Sequence, residues 1–349
     1  MERVTYLLGA GFSAPLGLPV MRNFLIKSKD LYFSDIDRYK HFSSVFDTIN
    51  AFSKCKNYYD ADLFNIEEIL SILEMASFVE GRNLKSNFAK YICDVIDGYT
   101  LRFEPHERDL PANWHRFVFG KQSLQRLYGS FVGSILGISI RCLDVVERDS
   151  NHREWHVETN NQKVNYSVVS LNYDLVLEKI SDLIFRKFSC TGRAGFESDA
   201  DVDSGCLLAK LHGSADTGLV VPPTWAKGTH RRIAEAWRNA HRVLTHANHI
   251  RFIGYSLPLT DSYIQYLLKS TVIESAHLKT IDVVCKDKEG SARSRYDAFM
   301  RFVDYRFQNR DVIEYLQAIH DATYRNKGTA DNELEFGALE HAHEVFMAS

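Results

Sequence analysis

The sequence predicts an α/β fold: an open parallel sheet covered by helices on both faces, with an inserted helical region and a run of C-terminal helices. Three observations predict it. Short, continuously apolar or β-branched runs recur along the chain, as at Val4 to Leu8 and Cys206 to Leu211, the character of strands buried on both faces. Between them stand stretches with apolar residues at helical spacing, such as Arg231 to Thr245, and strands alternating with helices argue for parallel pairing. Run after run also ends in polar or glycine-rich residues: Gly9 to Ser13, Ser170 to Asp174, His212 to Ser214, and Gly254 to Ser256. In parallel sheets ligands bind beyond the carboxyl ends of the strands, so these tips are expected to share one crevice.

Taken in order, Val4 to Leu8 is the first strand, and GAGFSAPLGLPVMR (Gly9 to Arg22) follows it as a turn broken by Pro15 and Pro19. From about Asp35 to Glu147 the pattern becomes mainly helical. Phe64, Ile66, Ile69, Leu70, Ile72 and Leu73 mark one helix behind a start near Asp62; Phe88, Tyr91, Ile92, Val95 and Ile96 mark a second. Leu124, Leu127, Tyr128, Phe131, Val132 and Ile135 mark a third, and Gly98, Pro105 and Pro111 predict a loop between. Strands are then expected at Tyr166 to Asp174, Cys206 to Ser214, Leu219 to Trp225, His249 to Leu257 and, as the last one, Lys279 to Lys286. Arg293 to Phe302, Val312 to Tyr324 and Leu334 to Phe346 read as helices, with a break at Gly328 to Asp331. The expected division is residues 1–34 with 151–290 as the sheet-bearing core, 35–150 as the insertion, and 291–349 as C-terminal helices.

Composition limits the function classes. With 349 residues, 45% hydrophobic and 25% charged, the chain can bury a substantial core. A formal net charge of −3 provides no global attraction to nucleic acid or anionic membrane; the basic stretch from Lys227 to Arg232 is short. Cys55, Cys93, Cys142, Cys190, Cys206 and Cys285 are scattered without a C-x-x-C pair, which fits a reducing compartment and argues against a structural zinc module. The opening MERVTYLLGAGF lacks the basic and long apolar regions of a signal peptide, and no run approaches the ~20 apolar residues of a membrane span. A cytoplasmic protein is expected.

The tips carry the chemistry. Gly9 and Gly11, around Ala10, can adopt positive φ and let the backbone approach a pyrophosphate closely, with Ser13 adding a hydroxyl. The alternative is a tight strand-to-helix turn, since the third glycine and smooth helix of the dinucleotide fingerprint are missing. Gly17, Leu18 and Pro19 read as a loop over a ligand. Asn172 offers both an amide donor and an acceptor, for a ribose hydroxyl or a water, although, taken alone, turn chemistry is the better account of it. Asp174 either caps the next helix or faces a ligand. His212, between an apolar strand and Gly213, is the candidate general base. In GYSLPLTD, Gly254 permits close approach, Tyr255 lies beside it, Ser256 can donate to a phosphate or ribose, and Asp261 caps a helix or holds a hydroxyl. His241, His246 and His249 read as structural.

In order, these pieces resemble the sirtuins. GAGFSAPLGLPVMR is similar to that family's Gly-Ala-Gly-x-Ser motif followed by Gly-Ile-Pro-Asp-Phe-Arg, which carries over Gly17, Pro19 and Arg22. SLNYD resembles its Thr-Gln-Asn-x-Asp motif, giving Asn172 and Asp174; KLHGS resembles the segment of its catalytic histidine, giving His212; and GYSL resembles Gly-Thr-Ser-Leu, giving Gly254, Ser256 and Leu257. The fit is closer to the bacterial sirtuin-like NADases of anti-phage defence, in which Asn-Tyr-Asp, Lys-Leu-His-Gly-Ser, Val-Pro-Pro-Thr-Trp and Ile-Gly-Tyr-Ser-Leu-Pro-x-Thr-Asp recur. Two departures speak against peptide deacylation: the four-cysteine zinc spacing is missing, and Val20 and Met21 stand where Asp and Phe are usual.

The resemblance implies a sirtuin-like Rossmann domain that hydrolyses the nicotinamide–ribose bond of NAD, with Asn172 and His212 catalytic and no metal. Gly9, Ala10, Gly11, Ser13, Arg22, Asp174, Gly254, Tyr255, Ser256 and Asp261 would hold the dinucleotide. It also implies a homo-oligomer, regulated as a defence effector, working with a second protein such as a DNA-translocase-type ATPase or a nucleotide-sensing subunit. No membrane and no direct nucleic-acid binding are expected. The rival readings are a module that binds NAD or ADP-ribose without turnover, and an NAD-dependent deacylase or ADP-ribosyltransferase.

Overall fold

The computed structural model describes residues 1–59, 62, 64–80, 85–101, 118–120, 122–146, 151–159, 163–187, 189–191, 195–198, 205–221, 231–259, 261–275, 277–325 and 333–349. The predicted loop at Pro105 and Pro111, the segment from Pro222 to Trp225, most of the basic stretch at Lys227, and the break at Gly328 to Asp331 lie outside them.

In chain order the elements are β1 (Glu2–Leu8), α1 (Ala10–Ser13), α2 (Phe24–Ser34), α3 (Phe42–Phe52), α4 (Ile66–Glu80), α5 (Lys85–Tyr99), α6 (Ser123–Leu136), β2 (Ile138–Val146) and β3 (Asn151–Thr159). Then come β4 (Val164–Ser170), α7 (Val176–Lys187), β5 (Ser189–Thr191), β6 (Phe196–Glu197), β7 (Cys206–Lys210), β8 (Gly213–Ser214), β9 (Leu219–Val220) and α8 (Arg231–Thr245). The chain closes with β10 (His249–Ile253), α9 (Ser262–Glu274), β11 (Thr280–Val284), α10 (Ser291–Phe299), β12 (Tyr305–Gln308), α11 (Val312–Arg325), β13 (Glu333–Glu335) and α12 (Leu339–Ala348).

The main sheet has seven strands in the order β12-β11-β10-β1-β4-β7-β6, and every pairing in it is parallel. The chain starts at the centre in β1 and moves outward through β4 and β7. It then returns to the other side of β1 and moves outward again through β10, β11 and β12. Apart from β6 this is the three-two-one-four-five-six order of a Rossmann sheet, whose direction reverses between β1 and β10.

Alternation along β1 feeds two cores. Val4, Tyr6 and Leu8 pack with Tyr128, Phe131 and Tyr315 on one face, while Leu7 packs with Val243, Leu244 and Ile264 on the other, as period-two side chains on a doubly covered strand must. Register adds a polar row to the first face: Tyr6 stands beside Arg251, Arg251 beside Asp282, and Asp282 beside Arg306. Helix α12 lays Glu340, His343 and Glu344 on this row, one helical face by their spacing. Glu340 takes Arg251 in a two-point pair at 2.8 and 2.7 Å, His343 meets Asp282 at 3.0 Å, and Arg306 joins Asp282 to Glu344. Among the described residues, Asp282, His343 and Glu344 are the one metal-like grouping, and the Arg306 guanidinium sits within it as counter-charge.

The structure corrects parts of the expected element map. The strand at Lys279 to Lys286 is not the last, because β12 follows it as the sheet's edge; four half-buried residues in a polar sequence leave no apolar run to detect. Leu334 belongs to β13 rather than to a helix. A second sheet, β13-β2-β3-β5, was not foreseen; β2 and β3 pair antiparallel along their full length. Their sequences, ISIRCLDVV and NHREWHVET, mix charges into the alternation. Among the described residues no helix is long and apolar enough to cross a membrane.

Candidate functional site

The ends of β1, β4, β7, β10 and β11 open into one cavity of about 740 Å³, in the size range of small-molecule sites. It lies at the switch in strand order. The helical insertion contributes Ile66 of α4 and Ile96 of α5 to its wall.

The glycine-rich turn forms one side, with Gly9, Ala10, Gly11 and Ser13 all lining the cavity. Neither Gly9 nor Gly11 takes the positive φ open to it. Gly9 is extended at φ −101°, and Gly11 is not among the positive-φ residues. Both instead press on the end of β10: a Cβ on either would lie 2.7 Å from the Gly254 carbonyl oxygen. Gly254 itself has φ +65°, and a Cβ there would meet the Phe12 nitrogen at 2.3 Å. Two backbone hydrogen bonds, Gly9 N to Ile253 O at 3.1 Å and Gly11 N to Gly254 O at 2.9 Å, close the seam. From below, Phe12 packs edge-on against Tyr128 of α6, whose hydroxyl donates to the Phe12 carbonyl.

After α1 the chain makes a 3-10 turn, reverses at Gly17 with φ +90°, and makes a second 3-10 turn at Met21–Asn23. Leu18, Pro19 and Arg22 on this stretch all line the cavity, and Arg22 is exposed there.

Asn172 stands just past β4, buried at 7% exposure. Its amide nitrogen donates to the Gly9 carbonyl at 3.0 Å and to the Ser13 hydroxyl at 3.2 Å, tying the second strand tip to the first. Its Oδ1 accepts no hydrogen bond from the described residues. Asp174 also lines the cavity, and its Oδ1 accepts from Val176 N at 3.1 Å, at the start of α7. It thus serves the helix while remaining on the cavity wall.

His212 follows β7 and is 2% exposed, on the same cavity as Asn172. Local structure holds it from both sides. Trp237 donates to the Leu211 carbonyl at 2.9 Å, and Val221 N donates to the His212 carbonyl at 2.9 Å. Gly213, at φ +93°, turns the chain into the β8–β9 hairpin. The Tyr173 ring packs against the imidazole with centroids 6.0 Å apart.

On the far side, Tyr255, Ser256 and Asp261 line the cavity with Gly254. Asp261 does not cap α9 through its side chain; its Oδ2 accepts the Tyr255 hydroxyl at 2.8 Å. Leu257, at φ +50°, is the single non-glycine residue with positive φ among the described residues. A non-glycine side chain in that region is uncommon and marks local backbone strain beside the site.

All twelve predicted site residues therefore face one cavity. Sequence reasoning missed its outer end: Cys285 and Lys286 after β11, and Asp311, Val312 and Ile313 at the start of α11. Burial pushes the Cys285 thiol up to about 11. The signal available was DVIE at Asp311 to Glu314, a helix-start box, closed in the structure by Ile313 N to Asp311 Oδ1 at 3.1 Å and Asp311 N to Glu314 Oε1 at 3.2 Å. His246 bonds the Arg242 carbonyl and His249 the Thr280 hydroxyl, and neither these two nor His241 lines the cavity.

No family model and no curated protein matches the chain. Among solved structures it is similar to Sir2 in complex with the inhibitor EX-527, 2′-O-acetyl-ADP-ribose and a deacetylated p53 peptide, at 12% identity and a TM-score of 0.31, covering 92% of this chain and 93% of that one. It is similar also to Sir2 bound to acetylated peptide, at 11% identity and a TM-score of 0.33, and to Sir2 with a p53 peptide and NAD+, at 11% and 0.31, each covering 92% of both chains.

Proposed function

We propose that the chain hydrolyses NAD at the nicotinamide–ribose bond, releasing nicotinamide and ADP-ribose. The observation that carries this reading is the convergence of a glycine-rich turn, a buried amide and a buried imidazole on one cavity where the sheet's strand order reverses. That crevice is where open α/β sheets bind dinucleotides.

In this reading Gly9 to Ser13 and Gly254 to Ser256 hold the pyrophosphate, and Arg22 adds positive charge from the overlying loop. Breaking the bond between ribose C1′ and the nicotinamide nitrogen releases neutral nicotinamide and leaves an oxocarbenium-like centre. Water adds to C1′, and its proton passes to His212. The main chain at Leu211 and His212 is held by hydrogen bonds and the Tyr173 ring packs on the imidazole, so the base is presented from a fixed backbone position; general-base help of this kind contributes on the order of 10²–10⁴-fold in rate. Asn172 keeps its Oδ1 for a ribose hydroxyl or the attacking water. Excluding bulk water with the Leu18–Arg22 loop and the insertion favours the forward reaction. The same reading makes residues 1–34 and 151–290 the NAD-binding core. It makes the protein a cytoplasmic NAD-depleting effector of anti-phage defence, acting as a homo-oligomer with a sensing partner protein.

A second reading, an NAD- or ADP-ribose-binding module without turnover, is favoured by one observation: the Asn172 amide nitrogen is already engaged by Gly9 and Ser13. Incubation of the purified chain with NAD, alone and with its genomic neighbours' products, decides between them. Nicotinamide release that disappears in His212→Ala supports hydrolysis. Tight NAD binding with no release under any condition supports the module.

A further inference from the structure

We propose that Lys210 is a positioning residue for the reacting end of the cavity: its ammonium clamps the tip of β4 that carries Asn172 to the tip of β7 that carries His212, and so sets the rate of nicotinamide release rather than the affinity for the dinucleotide. The inference rests on the hydrolysis reading above and adds what fixes its two catalytic side chains relative to one another.

The need for a clamp comes from strand pairing. β4 and β7 are parallel neighbours whose register ends with Ser170 opposite Lys210, and one further bond, Leu211 N to Ser170 O at 3.0 Å, extends the ladder. Asn172 and His212 each lie two residues beyond that end, where neither chain is strand and the regular spacing of the sheet no longer holds them. Lys210 is placed to take over. Along β7 the side chains alternate: Leu207 and Ala209 pack into the core that holds Val243 and Leu244 of α8, and Lys210 emerges on the opposite face, beside α7.

There the ammonium meets three acceptors. Lys210 Nζ donates to the Asp174 carbonyl, to Glu178 Oε1 at 3.0 Å and to the Ser214 hydroxyl at 3.1 Å, which uses all of its donors. Asp174 stands two residues after Asn172, and Ser214 two residues after His212. One charge therefore grips both catalytic segments just past the side chain that each presents. The same segments share a backbone tie, Ala215 N to Tyr173 O at 2.9 Å, and the Tyr173 ring packs on the His212 imidazole. Glu178, in the first turn of α7, supplies the counter-charge that holds the ammonium, whose side chain is only 12% exposed; charge-assisted bonds of this kind are about twice as strong as neutral ones. Lys210, Glu178 and Ser214 line a second cavity of about 710 Å³ and not the site cavity. The clamp thus acts through Asn172 and His212 without touching substrate.

The test measures kcat and KM for nicotinamide release from NAD on the full chain, beside calorimetric titration with ADP-ribose and urea midpoints. Lys210→Met keeps the stem and removes the clamp. Adding Glu178→Leu removes the carboxylate left without its counter-charge, so the double variant should regain resistance to urea. In both variants kcat is expected to fall by at least about tenfold, since a small misplacement of reacting groups is enough, while KM and the affinity for ADP-ribose stay within about threefold of wild type. Ser214→Ala cuts one arm without changing any charge and should lower kcat in the same direction by less. A double variant that recovers wild-type kcat together with stability, a loss of kcat matched by an equal loss of ADP-ribose affinity, or an unchanged kcat in Ser214→Ala overturns the clamp while leaving hydrolysis standing. A wild type that binds ADP-ribose but releases no nicotinamide under any condition overturns the hydrolysis reading and the clamp with it.

Discussion

The amide nitrogen of Asn172 lies 3.0 Å from the carbonyl oxygen of Gly9, joining residues 163 positions apart. The bond couples the tip of β4 to the tip of β1, and Ser13 completes it from α1. One side chain therefore braces the Gly9–Ser13 turn while itself lining the cavity.

Asn172→Ala should remove both functions. Loss of two buried hydrogen bonds predicts about 1–3 kcal/mol of destabilisation, and a displaced turn predicts a loss of about 10²-fold or more in NAD turnover. Ser13→Ala removes only one of the two bonds and should cost about 1 kcal/mol with most turnover retained. Chemical denaturation paired with nicotinamide release measures both; equal activity in Asn172→Ala and wild type would remove Asn172 from the site.

His212→Ala should lower turnover by about 10²–10⁴-fold while the fold persists. The test is circular dichroism alongside nicotinamide release, with His212→Gln as the variant that keeps side-chain bulk. A fully active His212→Gln would exclude proton transfer by this residue.

Gly254→Ala should cost about 2–4 kcal/mol, since it adds a Cβ at positive φ and against the Phe12 nitrogen. Ligand binding should be lost along with stability, because the displaced atoms belong to the turn. Gly290→Ala serves as the control: its φ is also positive, yet nothing lies within 4 Å of its Cβ, so it should pay the strain alone and bind ligand normally.

The α12 contact should respond to acid. Burial and the nearby Arg251 hold His343 below its usual range, so the folded state favours the neutral ring. Burial raises the Asp282 carboxyl, but hydrogen bonds from His343 and Arg306 more than offset this and leave it at about 2. Both folded-state values are depressed. Their contribution is therefore complete above about pH 6.5, the ordinary histidine value, and falls as pH drops, first through His343 and then, between about 4 and 2, through Asp282. Thermal melts from pH 7 to pH 3 should show this decline, and His343→Gln should flatten its upper part.

Glu340→Gln should destabilise by about 3–5 kcal/mol, because it leaves the Arg251 charge buried without its counter-ion. Arg251→Met combined with Glu340→Leu should recover most of that loss. Urea midpoints of the single and double variants make the comparison; additive losses would show that the pair is not coupled.

Much of the site could be read along the chain because backbone chemistry there is local. Asn172, His212 and Gly254 each end an apolar run, and a parallel sheet with buried strands must place such ends on one edge. The outer end, Lys286 with Asp311, gave no such sign: a lysine after a strand and an aspartate before a helix are ordinary residues until α11 brings them within 2.7 Å. The strands β2, β3 and β12 were hidden for a related reason. β2 and β3 are each other's neighbours in sequence, but charged residues interrupt their alternation, and β12 is a four-residue edge strand; none of them offers a continuous apolar run.

By itself, then, the sequence determined the α/β class, the chief strands and the residues at their tips, since period, turn chemistry and burial are local constraints. Only the tertiary structure decided why the glycines are glycines: Gly9, Gly11 and Gly254 are required by one another's backbones rather than by their own dihedral needs alone. It likewise decided that Arg251, Asp282 and Arg306 form a charged row closed by α12, because register and helix docking set distances that no spacing along the chain contains.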